Sequence, residues 1–250
     1  MQQKLNCAMD IGEAMLMSGA EIHRVEDTMN RIMSALGAER IDTFIITSSM
    51  VVSAASPSGE VYTETRRITS SGTDFEKLHR LNALSRKICE KKLSVDEIRE
   101  EMKAIAATPV YLLWVEFVSY AMIAFAFTLF FGGTFIQSVV SFLIGAAVRV
   151  LVLVSDKTVN NRVFAKFVSS LAATALSYLA LRCGIVDGVD EIIIGNIMVL
   201  IPGIGLTNAL RDLFTGDSIT GILRSIEAFL VAIAIAAGYF VFVIIMGGAV

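Results

Sequence analysis

The sequence predicts a membrane α-helical bundle of five transmembrane helices preceded by a small α+β cytoplasmic domain. Two observations predict it. Of the 45 charged residues in the 250-residue chain, the first 112 residues hold 30 (14 Lys/Arg and 16 Asp/Glu), and the remaining 138 hold 15. Beyond residue 110, five apolar stretches alternate with short polar loops. The chain is 55% hydrophobic with a mean hydropathy of +0.68, a composition that places it among polytopic membrane proteins. The expected domains are residues 1–109, cytoplasmic, and residues 110–250, transmembrane.

A helix needs roughly 20 apolar residues to cross a bilayer. Five segments qualify: Val110 to Phe131, Phe135 to Val154, Val163 to Leu181, Ile192 to Leu206 and Ile222 to Met246. The fourth is short and contains Asn196 and the Pro202-Gly203 step. Basic residues gather in cytoplasmic loops. The loop after the second stretch carries Lys157 and Arg162, with Lys166 nearby, and the loop after the fourth carries Arg211. The intervening loop FGGTF is uncharged, and RCGIVDGVDE has one Arg against three acids. This alternation predicts an N-inside inner-membrane protein whose terminal GGAV lies outside. No secretory leader is visible at the N-terminus.

Within the soluble part, residues 3–36 read as one or two helices. Ile22, Val25, Met29, Ile32, Met33 and Leu36 share one face at helical spacing. Gly37 then closes the helix. Residues 41–55 are rich in β-branched types and read as one strand, SPSG as a turn, and EVYTETRRIT as a second strand. Thr73-x-x-Glu76 and Ser94-x-x-Glu97 fit capping boxes, which start helices near 74 and 95. Pro109 punctuates the entry into the membrane.

Several function classes are excluded or weakened. A net charge of −3 offers no basic stripe for nucleic acid. His23 and His79 stand alone, and no HExxH, GxSxG, P-loop or GxGxxG occurs. No enzyme, cofactor or metal is expected. Cys7, Cys89 and Cys183 are too scattered for a metal site or a CxxC pair and read as free thiols. The Met-rich run MDIGEAMLM reads as core packing.

Polar groups inside apolar spans are costly and often functional. A Pro-Gly break within a short span points to a discontinuous helix, whose exposed backbone groups bind substrates or ions in transporters. Asn208, Arg211, Asp212, Asp217, Thr220 and Arg224 lie beyond the break, with Asn208 and Asp212 on one helical face that Arg211 does not share. The plainer reading is a cytoplasmic loop with a turn at Gly216 and Arg224 reaching to headgroups. Arg149 lies about five residues from the expected cytoplasmic end of the second span. It either reaches outward or faces the bundle, meeting Glu116, Glu227 or an anionic substrate. Glu116, in the inner third of the first span, either carries protons or sits at headgroup level.

The segment LMSGAEIHRVEDTMNRIMSALG resembles the opening signature of the threonine/serine exporter family. VLIPGIGLTNALRDLFTGDSITGILR resembles that family's second signature. The resemblance covers essentially the whole chain. It implies export of small amino acids, or in some members a dicarboxylate such as succinate, driven by the proton gradient. It singles out Gly19, Ala20, Glu21, Arg24 and Val25 in the head, and Pro202, Gly203, Asn208, Asp212, Gly216 and Arg224 at the membrane. Long family members carry a further membrane domain after the fifth span. The chain therefore resembles the two-subunit form, with a separate small membrane protein as partner and a homo-oligomer as a further possibility. The competing expectation is a membrane-anchored sensor or assembly subunit with a ligand-binding head.

Overall fold

The structure is a computed structural model and describes residues 1–70, 72–108, 111–158 and 161–246. Pro109 and the terminal GGAV, named above, lie outside the described residues. The chain forms two compact units. One comprises Met1–Pro109 with Thr207–Ser225, the other Val110–Leu206 with Ile226–Val250.

In the first unit, helices α1 (Gln2–Met17) and α2 (Ile22–Ala35) are separated by a tight turn. Gly19 takes φ +90° there, and the Ala20 amide reaches back 3.0 Å to the Met15 carbonyl. That is the left-handed helix ending glycine favours. A side chain at Gly19 would also strike the Gly72 carbonyl, 2.7 Å from where its Cβ would sit. Strands β1 (Arg40–Ile46), β2 (Ser49–Ala55) and β3 (Val61–Arg67) form an antiparallel sheet in that order. The expected single strand at 41–55 is thus two. A two-residue reversal at Thr47-Ser48 pairs Ile46 with Ser49. No Gly, Pro or Asn announces it.

Helices α3 (Phe75–Lys91) and α4 (Val95–Ala106) complete the head. The α4 start carries the expected capping box, with Ser94 and Glu97 bonding reciprocally. The α3 start does not. Asp74, rather than Thr73, caps it by accepting from the Lys77 amide at 2.9 Å. A carboxylate is at least as good an N-cap as a threonine hydroxyl and adds charge at the positive helix end. Leu5, Met9, Ile11, Met15, Ile22, Met29, Ile32 and Met33 are fully buried, so α1 lies inside the head core. Arg66 ties β3 to α1 through Asp10 at 2.7 Å and Glu13 at 3.0 Å.

The second unit contains α5 (Leu113–Phe130), α6 (Phe135–Thr158), α7 (Arg162–Arg182) and α8 (Asp190–Met198). Helix α9 (Gly203–Thr215) begins there and runs into the first unit, and α10 (Ser218–Ile245) belongs to both in turn. Four helices among the described residues, α5, α6, α7 and α10, are long and apolar enough to cross a membrane. The number becomes five if the bent pair α8 and α9 is one broken span. The interruption falls at Val199–Pro202, where the Pro202-Gly203 step suggested it. Residues 203–215, however, are helix, so Arg211 and Asp212 stand on a helix face and not in a loop.

The seams of this unit are built from small residues. Gly145 lies against Ala124 and the Tyr120 carbonyl, Gly195 against Thr128 and the Ala124 carbonyl, and Gly238 against the Phe167 carbonyl. Such positions let helix backbones approach where lipid gives no hydrophobic drive for association.

Candidate functional site

Two charged constellations collect most of the residues singled out above. The first lies in the unit formed by Met1–Pro109 and Thr207–Ser225. Glu21 is the N-cap residue of α2, and its carboxylate pairs with Arg211 of α9. Arg224, in the second turn of α10, donates to Asp212 of α9 at 2.7 Å and to the Ala20 carbonyl at 3.2 Å. Asp212 is 1% exposed and the Arg224 side chain 16%. The two motif segments, about 180 residues apart in sequence, therefore meet through two arginines.

Local geometry explains how α9 and α10 present these groups. Gly216 takes φ +98°, and the Asp217 amide returns 2.9 Å to the Asp212 carbonyl, closing α9 with a left-handed turn. Gly221 lets α10 fold back against Leu213, whose amide nitrogen would lie 2.8 Å from an added Cβ. Asn208 is half-buried one turn before Asp212. Asp217 is half-buried in the turn, and its negative charge acts on the Glu26 carboxyl. Burial first, and the negative charge of Asp217 second, push the Glu26 carboxyl above its ordinary value. Val25 is fully buried in the head core, while Arg24 and His23 face solvent.

The second constellation lies in the other unit, along the α5/α6 seam. Arg149 of α6 pairs with Glu116 in the first turn of α5, and not with Glu227. The Arg149 guanidinium sits 5.2 Å from the centre of the Tyr120 ring, a cation–π distance. Helix α6 continues a turn past the expected end at Val154. Arg149 is thus nine residues from the helix terminus, about 14 Å along the axis, and its guanidinium turns to Glu116 and Tyr120.

Two turns further along the same seam, Thr128 donates to the Ser141 hydroxyl at 2.7 Å, and Asn196 of α8 donates to the same oxygen at 2.8 Å. Ser141 is left to donate to the Ala124 carbonyl at 3.2 Å. All three side chains are fully buried, and the Asn196 Oδ1 atom has no hydrogen-bond partner. Pro202 and Gly203 do not join either constellation. Pro202 accepts from the Leu206 amide at 2.9 Å as α9 begins.

Tyr120, Thr128 and Ser141 were not singled out from the sequence as site residues. A signal existed for Tyr120 alone. Tyr120 follows Glu116 by four residues, which puts the two on one helix face. The pairing of Arg211 with Glu21 gave no such signal, because the two are 190 positions apart.

The threonine/serine exporter family model matches residues 6–246. A Mycobacterium tuberculosis protein named "Probable threonine/serine exporter" is 24% identical over 94% of the chain, and a Corynebacterium glutamicum protein named "Threonine/serine exporter" is 25% identical over 94%. The chain spans 44% and 49% of those two relatives, about half their length. A Klebsiella aerogenes protein named "Probable succinate transporter subunit YjjP" is 24% identical over 90% of the chain, which spans 86% of it. No solved structure matches the chain.

Proposed function

Because the chain belongs to the threonine/serine exporter family, we propose that it is one part of a secondary transporter that moves small amino acids, or a dicarboxylate such as succinate, out of the cytoplasm at the expense of the proton gradient. In this reading residues 1–109 form a cytoplasmic head, residues 110–250 cross the inner membrane, and a separate small membrane protein supplies the second half. The chain's match to most of a relative named as a transporter subunit supports that division.

The observation that carries the reading is the knot of Arg211, Glu21, Arg224, Asp212 and the Ala20 carbonyl. It binds the α1–α2 turn to the helix that begins at the Pro202-Gly203 break. A broken helix is the usual moving or binding element in transporters that alternate access. A charged clasp on its second half gives the head a handle on that movement. Asp212, sealed from solvent, holds Arg224 in place, and together they hold the α1–α2 turn. The chemistry is that of binding and movement, and no catalytic role is assigned to any side chain.

The test is counterflow in proteoliposomes containing the chain with and without its proposed partner, using labelled threonine, serine and succinate. The reading requires flux of at least one substrate that depends on both proteins and collapses in Asp212→Ala. A folded, intact complex that moves none of them rules transport out. A sensor role for the head would then come forward. A groove of about 360 Å³ between α1 and α4, lined by Asp10, Arg99 and Lys103 among others, is where its ligand would sit.

A further inference from the structure

Resting on the transporter reading, the geometry points to the Arg149–Glu116 pair as the seat of a substrate's two opposite charges. The carboxylate of a small α-amino zwitterion sits on Arg149, and its ammonium on Glu116.

Glu116 and Arg149 are the only charged residues in α5 and in α6 as far as Ser155. They face each other across one seam and are partly shielded, with side chains 25% and 14% exposed. A lone charge among apolar helices is costly, so the two close on each other when nothing is bound. Opening them is compensated only by a ligand that returns a partner to both. A molecule with a carboxylate and an ammonium on one carbon does so, because its charges are as close together as the pair it replaces.

Arg149 has capacity to spare. A guanidinium carries five N–H donors. Its Nη2 serves Glu116, while its Nε is buried with no acceptor. The Nε and Nη edge of an arginine is the fork that takes a carboxylate through two parallel bonds. An incoming carboxylate therefore gains a bond that Glu116 does not make. The Tyr120 ring, 5.2 Å from the guanidinium, forms an aromatic wall beside the fork.

The same arrangement discriminates between the two substrate classes named for relatives of this chain. A dicarboxylate satisfies Arg149 but leaves Glu116 unpaired beside further negative charge, and like charges brought together in a poorly solvated site repel. The seat favours the zwitterion.

Equilibrium binding of labelled L-threonine to the purified full chain in nanodiscs tests this, with the second transporter protein present where flux requires it. Unlabelled threonine should displace the label. Threonine amide, which lacks the carboxylate charge, and N-acetylthreonine, which lacks the ammonium, should compete at least about tenfold less well, as should succinate. This comparison uses the native protein and needs no variant. Glu116→Gln and Arg149→Lys should each weaken threonine binding at least about tenfold in monodisperse protein. The lysine keeps an ion pair with Glu116 but loses the fork, so a purely structural pair predicts unchanged binding in Arg149→Lys. The assignment is overturned by no saturable threonine binding to the native chain, by equal competition from either blocked analogue, or by full binding in both variants. Flux that persists in those cases leaves the transporter reading standing. An intact complex with no flux of any substrate removes both.

Discussion

The head and the membrane unit solve the packing problem in opposite ways. In the head, every one of the largest fully buried side chains is a Leu, Ile or Met, and the charged residues point outward. In the other unit Val148, Ile192, Leu200 and Ile235 form a buried apolar cluster, but many of the most deeply buried positions are small, among them Ala121, Ala124, Ser138, Ser141, Ser169, Ser170, Ala173 and Thr174, while Trp114, Phe130, Leu143, Phe229, Ile233 and Phe240 are exposed. Water drives large apolar groups inward. A bilayer removes that drive, so close backbone approach and interhelical hydrogen bonds hold the helices together instead. The same chain therefore needs two different grammars for stability, and single substitutions should tell them apart.

The largest effect is expected at the charged clasp. Asp212→Ala strands Arg224 beside the Ala20 carbonyl and should cost about 3–5 kcal/mol, seen as a large drop in the melting temperature of the purified chain. Met29→Ala removes a fully buried side chain from the head core and should cost about 2–5 kcal/mol in the same assay. If the comparison holds, truncating Phe229, which is 63% exposed in α10, changes detergent-solubilised stability little. Gly238→Leu inverts the logic. An added Cβ would lie 2.5 Å from the Phe167 carbonyl, and the overpacking should cost about 1–3 kcal/mol despite added hydrophobicity. Ser170 donates from α7 to the Ile235 carbonyl of α10 at 2.7 Å. Ser170→Ala should cost only about 0.6 kcal/mol, the size of a typical interhelical bond in a membrane.

The smallest effect concerns pH. Glu26 has its folded-state pKa raised by burial and by Asp217. A raised carboxyl contributes stability that is fully present below its unfolded pKa and is lost as pH rises through the folded value. Glu26→Gln should therefore raise the melting temperature slightly at neutral pH and make no difference in strong acid. A shift of the opposite sign would show that Glu26 gains more from a partner than it loses to burial.

Apolar length was enough to read the long spans, because α5, α6, α7 and α10 each contain one sustained apolar run. The break at Pro202-Gly203 was equally legible, since proline removes a donor and glycine weakens the helix. The helix beyond the break was not. GIGLTNALRDLFT reads as mixed polarity, and only its packing with the α1–α2 turn shows why Asp212 is buried and Arg211 is not. The extra β-strand escaped for a local reason, as Thr47-Ser48 carries no turn residue. The meeting of Arg224 with Ala20 spans 204 positions, and no local spacing rule reaches that far. The second constellation was half legible. Arg149 and Glu116 stood out as lone charges, but Thr128 and Ser141 are ordinary residues until a neighbouring helix supplies Asn196.

The central claim is that the clasp on α9 and α10 is a working part of a transporter and not a fixed brace. The most direct test replaces Glu21 and Arg211 by cysteines, after Cys7, Cys89 and Cys183 are changed to serine, and joins them with a short cleavable bis-thiosulfonate linker in proteoliposomes. A working clasp predicts that substrate counterflow stops when the linker is in place and returns when it is reduced. Undiminished counterflow in fully linked protein would contradict it.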